Sequence, residues 1–441
     1  MSYATAPALL PWTAPTATGP VHASVRLPGS KSMTSRALVL GALSLGCSTL
    51  RAPLRARDTE LMAAGLRAMG VHVSTADDNL WVLRSRPLQG PAHVNVGRAG
   101  SVMRFLPAVA GLADGAVTFD GDPHSRRRPM APLVGALRAL GARVDGEGGL
   151  PMTVHGIGRV GGGEVTIDAS ASSQLVAGLL LAAAEFDRGV TVRHVGPPVP
   201  KPHLRLTVHM LRSAGAGVDD SRPDVWVVKP GRLNGRAWDI EPDLSGAAPF
   251  LAAAILTGGT VTVPGWPPVS GQSGRLLLDL LRQMGGASTL TPRGLVMRGT
   301  GAVHGLTADL DGAAELAPVL AALATVADSP SHLFGLGHLR SHESNGSGLQ
   351  RGDDIAALIT ELTALGADVA QEPDGLRIRP RPLRGATFRT HDDHRLAHAA
   401  ALIGLTVAGV RLDDVACTAR TLPEFPRLWS SMVHGGNGGS D

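Results

Sequence analysis

The sequence predicts an α/β protein assembled from repeated units, and three observations predict it. A phrase ending in glycine recurs five times: Leu66-Arg67-Ala68-Met69-Gly70, Leu137-Arg138-Ala139-Leu140-Gly141, Leu211-Arg212-Ser213-Ala214-Gly215, Leu281-Arg282-Gln283-Met284-Gly285 and Leu362-Thr363-Ala364-Leu365-Gly366. The closing glycines fall 71, 74, 70 and 81 residues apart, a period that chance rarely gives. Each follows apolar residues at helical spacing and precedes a short alternating strand, such as Leu80-Trp81-Val82-Leu83 or Val225-Trp226-Val227-Val228, so each copy reads as a helix capped by a glycine that tolerates positive φ, then a hairpin strand. Units of this size exceed solenoid repeats and suffice for small layers of helix on sheet.

The chain of 441 residues has room for two or three domains, and 44% hydrophobic with 18% charged residues reads as globular. The first twenty residues, rich in Ala, Pro and Thr and without Lys or Arg, read as a loose tail rather than a targeting signal. The longest apolar helical runs, near Leu175–Ala184 and Pro249–Leu256, are shorter than the ~20 residues of a membrane span. Cys47 and Cys417 form no paired or metal-ligating pattern, which fits a reducing, cytoplasmic setting. A net charge of +4, one Tyr and seven Phe argue against nucleic acid, which needs basic tracts and stacking platforms.

Charge is distributed unevenly. No acidic residue precedes Asp58, whereas Arg26, Lys31, Arg36, Arg51, Arg55 and Arg57 do. Within this stretch, Leu27-Pro28-Gly29-Ser30-Lys31-Ser32-Met33-Thr34-Ser35-Arg36 is a turn running into an apolar helix, with Ser30 or Ser32 available as N-cap. Free N–H groups, hydroxyls and two cations there make an anion cradle.

Further motifs follow in order. Gly97-Arg98-Ala99-Gly100-Ser101 is a small-residue loop at a helix start. Gly121-Asp122-Pro123-His124-Ser125-Arg126-Arg127-Arg128-Pro129 leads into a helix, its arginine run by itself a solvated patch. Ser172-Ser173-Gln174 opens the apolar run after Ser170 and reads as hydroxyl capping. Glu315 stands where an acid complements a helix N-terminus. His391-Asp392-Asp393-His394-Arg395 could mimic a metal site, but no distant third ligand set accompanies it.

Together these motifs resemble the 5-enolpyruvylshikimate-3-phosphate synthase family of enolpyruvyl transferases, over about residues 21–430. The resemblance implies a two-domain inside-out α/β barrel of six βαβαββ-type units with an interdomain cleft. One domain would be residues 30–243 and the other 1–29 with 244–441. It also implies transfer of the enolpyruvyl group of phosphoenolpyruvate to the 5-hydroxyl of shikimate 3-phosphate, with loss of phosphate, by a cytoplasmic monomer needing no metal or organic cofactor.

Residue by residue, the resemblance makes Lys31 a contact of both substrates that takes part in proton transfer. Ser32 and Arg36 would hold the shikimate ring and its carboxylate. Ser172, Ser173 and Gln174 would bind the 3-phosphate and ring hydroxyl, with Gln174 reaching the enolpyruvyl side. Gly100, Arg128, Arg395 and Arg420 would serve phosphoenolpyruvate, and Glu315 would deprotonate the acceptor hydroxyl. His342 would contact shikimate 3-phosphate, and Glu343 would be the second acid/base.

Four departures from the family pattern stand out. Arg98 replaces a residue usually Asn or apolar, Pro200 a hydroxyl, and Arg420 a lysine; after Glu343 the motif breaks into Ser344-Asn345-Gly346-Ser347-Gly348, displacing an arginine for which only Arg351 could stand in. Arg98, Pro200, the loop and His203, which stands in the place of a common Tyr, keep open an enolpyruvyl transferase with another hydroxyl acceptor in specialised metabolism; a non-catalytic anion-binding paralogue is a further reading. The UDP-N-acetylglucosamine branch fits less well, because no cysteine lies near residue 120.

Overall fold

The glycines of the repeat act as the spacing predicts. In the computed structural model, which describes residues 11–197, 199, 201–337 and 352–435, Gly70, Gly141, Gly215, Gly285 and Gly366 have φ of +91°, +97°, +94°, +104° and +99°. Each comes two residues after the last helical one, where the left-handed turn is nearly free of strain only without a Cβ. A sixth helix, Phe425–Val433, ends in the same way at Gly435, φ +65°. Its sequence lacks the Leu-Arg phrase, so it stands outside the five-fold period.

The chain divides into two compact units, Pro28–Asp243 and Met1–Leu27 with Leu244–Asp441, each with its own apolar core. The first unit holds three four-stranded sheets. In the sheet Ala92–Asn95, Asp114–Asp120, Met152–Ile157, Arg143–Asp145, the first two strands are parallel and the rest antiparallel. Helices separate the first strand from the second and the second from the hairpin, which is the βαβαββ order. Gly163–Ile167, Val190–His194, Val225–Val228 and Val218–Asp219 repeat the pattern. In the remaining sheet the leading strand, Ala237–Asp239, arrives from the far end of the unit to lie parallel to Cys47–Arg51.

The second unit repeats this with sheets led by His22–Ser24 and Thr307–Asp309. Its last sheet has three strands, Thr387–Phe388, Arg411–Leu412 and Trp12–Thr13. Residues 11–20 are therefore no loose tail. Trp12 pairs with Leu412, Ala14 is buried and donates to Val410, and Ala17 donates to Leu405. The sequence reading failed here because a strand this short, flanked by Pro and Ala, carries no periodicity of its own.

Inside each unit lie three helices buried nearly all round: Lys31–Leu43, Gly100–Ala110 and Ser173–Ala183 in one, Leu244–Thr257, Ala317–Ala324 and His394–Gly404 in the other. Largely apolar helices of this kind must be enclosed, and these pack on one another within each unit. Gly178 lets two of them meet, since a Cβ there would overlap the Arg104 carbonyl oxygen.

Candidate active site

Most of the residues singled out from the sequence start, or lie just inside, an inner helix, where unpaired N–H groups and the helix dipole favour anions. In the first unit Ser30 is the N-cap of Lys31–Leu43, its Oγ accepting from the Met33 N–H at 3.4 Å. Thr34 Oγ1 donates to the Ser30 carbonyl (2.8 Å) and accepts from the Leu54 N–H (3.0 Å), tying the turn down from both sides. Lys31 Nζ, partly exposed, lies 3.4 Å from Asp58 Oδ2.

Arg36 is buried. Its Nε donates to Thr207 Oγ1 (2.8 Å), Nη1 to the Ser32 carbonyl (2.9 Å) and Nη2 to the His203 carbonyl (3.1 Å), and the guanidinium lies over the Phe105 ring. Burial lowers its pKa to about 10, so it stays charged at neutral pH. Three of its five N–H groups are committed inside the unit.

Residues far apart in sequence meet at Gly100. A Cβ there would lie 2.9 Å from Arg104 Nη1, 3.1 Å from Gln174 Oε1 and 3.4 Å from Arg128 Nη1. Arg104 Nη1 donates to Gln174 Oε1 at 3.0 Å, and Arg128 Nη1 to the Arg98 carbonyl at 3.0 Å. Ser172 caps its helix by accepting from the Gln174 N–H, and Ser173 is buried beside it. Arg126 pairs with Asp120 at the surface. Arg104 was missed by the sequence reading, although a signal existed: it is the single charged side chain in Gly100–Ala110.

In the second unit Glu315 is half-buried in the 3-10 turn Ala314–Leu316 that feeds Ala317–Ala324. Asp393 caps His394–Gly404 through the Arg395 N–H at 2.8 Å and grips the Arg395 side chain, Nε lying 2.9 and 3.0 Å from its two oxygens. Burial alone would raise the Asp393 carboxyl; the Arg395 guanidinium, with His394 and the Arg395 N–H, holds it well below the usual carboxylate range. Arg420 Nη2 contacts Asp392 Oδ2 at 2.7 Å.

His391 and Asp392 both have positive φ, +49° and +57°, a conformation that costs such residues about 1 kcal/mol or more each. The loop is held from several sides. Asp413 Oδ1 accepts from the Thr390 N–H (2.8 Å) and Oγ1 (3.0 Å), and Glu361 reaches both Arg389 and His391. Among the described residues no group of three His, Cys, Asp or Glu side chains is disposed to hold a metal ion. His342, Glu343 and Arg351, like Pro200, lie outside the described residues.

Repeated βαβαββ units whose inner helices begin, in one unit, at Lys31, Gly100 and Ser173 and, in the other, beside Glu315 and at His394 define the class of this α/β protein. A family profile described as EPSP synthase (3-phosphoshikimate 1-carboxyvinyltransferase) matches residues 15–429. The chain is 49% identical over 436 residues to the 3-phosphoshikimate 1-carboxyvinyltransferase of Mycobacterium ulcerans (strain Agy99), covering 97% of this chain and 99% of that protein. Two structures of EPSP synthase from Acinetobacter baumannii share the fold, with TM-scores of 0.79 and 0.78 at 23% and 22% identity, over 96% of this chain and 97% and 98% of theirs. The chain belongs to the EPSP synthase family.

Proposed function

We propose that the chain transfers the enolpyruvyl group of phosphoenolpyruvate to the 5-hydroxyl of shikimate 3-phosphate, and that the residues at its inner helix N-termini do the work. The observation that carries the assignment is the meeting of Arg128, Gln174 and the unforeseen Arg104, from sequence segments up to 70 positions apart, around the place where Gly100 lacks a Cβ.

The reaction adds a proton to C3 of phosphoenolpyruvate while the acceptor oxygen bonds to C2. The C3 proton and phosphate then leave, restoring the double bond. No electrons are exchanged, so the balance requires acids, bases and charge neutralisation only. Glu315 takes the proton of the 5-hydroxyl in this reading, and Lys31 and Glu343 share the transfers at C3.

Shikimate 3-phosphate is assigned to Lys31, Ser32, Arg36, Ser172, Ser173, Gln174, Glu315 and His342. Phosphoenolpyruvate is assigned to Lys31, Gly100, Arg128, Gln174, Arg395 and Arg420, with Arg351 in place of the displaced arginine. Flat guanidinium forks suit its carboxylate and phosphate, and the backbone beside Gly100 stays open for it only while no methyl group stands there. We assign the protein to the cytoplasm as a monomer, with domains 30–243 and 1–29 plus 244–441.

Phosphate release is expected only with both phosphoenolpyruvate and shikimate 3-phosphate present, and Lys31→Met should abolish it. Release that is equally fast with unphosphorylated shikimate would transfer the assignment to another acceptor. Tight binding of shikimate 3-phosphate without turnover would leave an anion-binding paralogue.

A further inference from the structure

We propose that Glu361, which touches none of the groups assigned to substrate, is a positioning residue that aims Arg420. The proposal deepens the reading above, because it rests on Arg420 as a phosphoenolpyruvate contact.

Glu361 lies on the helix Gly352–Ala364 and is only 5% exposed. Its two carboxylate oxygens serve alternate residues of one loop. Oε2 accepts from the Arg389 N–H at 2.9 Å, and Oε1 lies 3.0 Å from His391 Nε2. The next residue, Asp392, is turned by its left-handed backbone so that Oδ2 meets Arg420 Nη2 at 2.7 Å. The Arg420 side chain is 26% exposed, so the linkage runs from an enclosed carboxylate to an accessible guanidinium.

Two features separate this from ordinary loop packing. An acid removed from water gains little for stability compared with a well-packed apolar residue, so its worth lies in selecting one conformation. Here the conformation selected is one that His391 and Asp392 would otherwise leave. The neighbouring Arg395 is gripped directly by both carboxylate oxygens of Asp393, with no contact to Glu361 among the described hydrogen bonds. Glu361 should therefore act more on Arg420 than on Arg395.

Glu361→Gln keeps the size of the side chain but offers only one oxygen to two donors. Steady-state kinetics of this full-length variant should show KM for phosphoenolpyruvate raised about three- to ten-fold, within the lower part of the coupling found between residues of one network. Values of kcat and of KM for shikimate 3-phosphate should stay within a factor of two. His391→Ala, on the partly exposed side of the linkage, should reproduce the effect should Glu361→Gln fail to fold.

In an Arg420→Ala background neither change should raise KM further. Unchanged KM in both single variants overturns the proposal, as does an increase that persists undiminished without Arg420. If Arg420→Ala itself leaves phosphoenolpyruvate binding intact by calorimetry, the parent assignment of Arg420 fails, which the Glu361 result alone would not show.

Discussion

At the scale of single residues, His398 and Gly100 carry the sharpest expectations. His398 is buried against Phe425, near His394, and its Nε2 has no hydrogen-bond partner among the described residues. Burial pushes its pKa down from 6.5 to about 4, with Arg395 lowering it and Asp393 opposing. The unfolded chain therefore binds this proton first as pH falls. Its contribution is complete above pH 6.5 and is lost by pH 4, on the order of 3 kcal/mol. Replacing His398 by Leu should flatten the fall in urea midpoint between pH 7 and pH 4.5; an unaltered slope would refute the assignment. Gly100→Ala places a methyl group beside Arg104, Gln174 and Arg128, and should raise KM for phosphoenolpyruvate more than KM for shikimate 3-phosphate. Motif matching found Gly100, Gln174 and Arg128 because each stands in a recognisable phrase. It missed Arg104 and Glu361, whose roles come from enclosure by distant segments, although a lone charge in an apolar helix was a usable sign.

At the scale of elements, three of the inner helices, those after Ser30, around Leu175–Ala184 and around Pro249–Leu256, were legible as apolar runs, and the five glycine caps as a period. What the sequence concealed was how closely two helices approach. Gly178 faces the Arg104 carbonyl oxygen across the contact between Gly100–Ala110 and Ser173–Ala183. In Gly178→Ala the helices must part, at a cost of about 1–3 kcal/mol, and the Arg104–Gln174 hydrogen bond between them should lengthen. A lowered urea midpoint together with raised KM for phosphoenolpyruvate is the expected pair of results; a lowered midpoint with unchanged kinetics would separate packing from the site. The Ser30 cap was narrowed only to Ser30 or Ser32 by sequence, since both hydroxyls have suitable spacing. Packing decided it, because Ser30 also anchors its backbone N–H on Glu241 at 2.8 Å.

At the scale of the whole molecule, three sheets are completed by strands remote in sequence from their partners. Trp12–Thr13 reaches Arg411–Leu412, His22–Ser24 reaches Thr260–Val263, and Ala237–Asp239 reaches Cys47–Arg51. Removing residues 1–14 should lower thermal stability and open Arg411–Leu412 to hydrogen exchange while leaving Asp114–Asp120 protected. Equal exposure of both strands would show that the terminal strand supports more than its own sheet. The family resemblance implies that residues 1–29 join 244–441 in one domain, but no residue pattern shows which strands pair, because pairing over such distances leaves no local trace. These pairings also set an order of events during synthesis. One body has all its strands once the ribosome has passed Asp239, whereas the other, begun first at Trp12, must keep that early strand unsatisfied until Arg411 and Leu412 emerge. Of the described strands, Trp12–Thr13 is thus the one left longest without its partner, and the one most in need of protection.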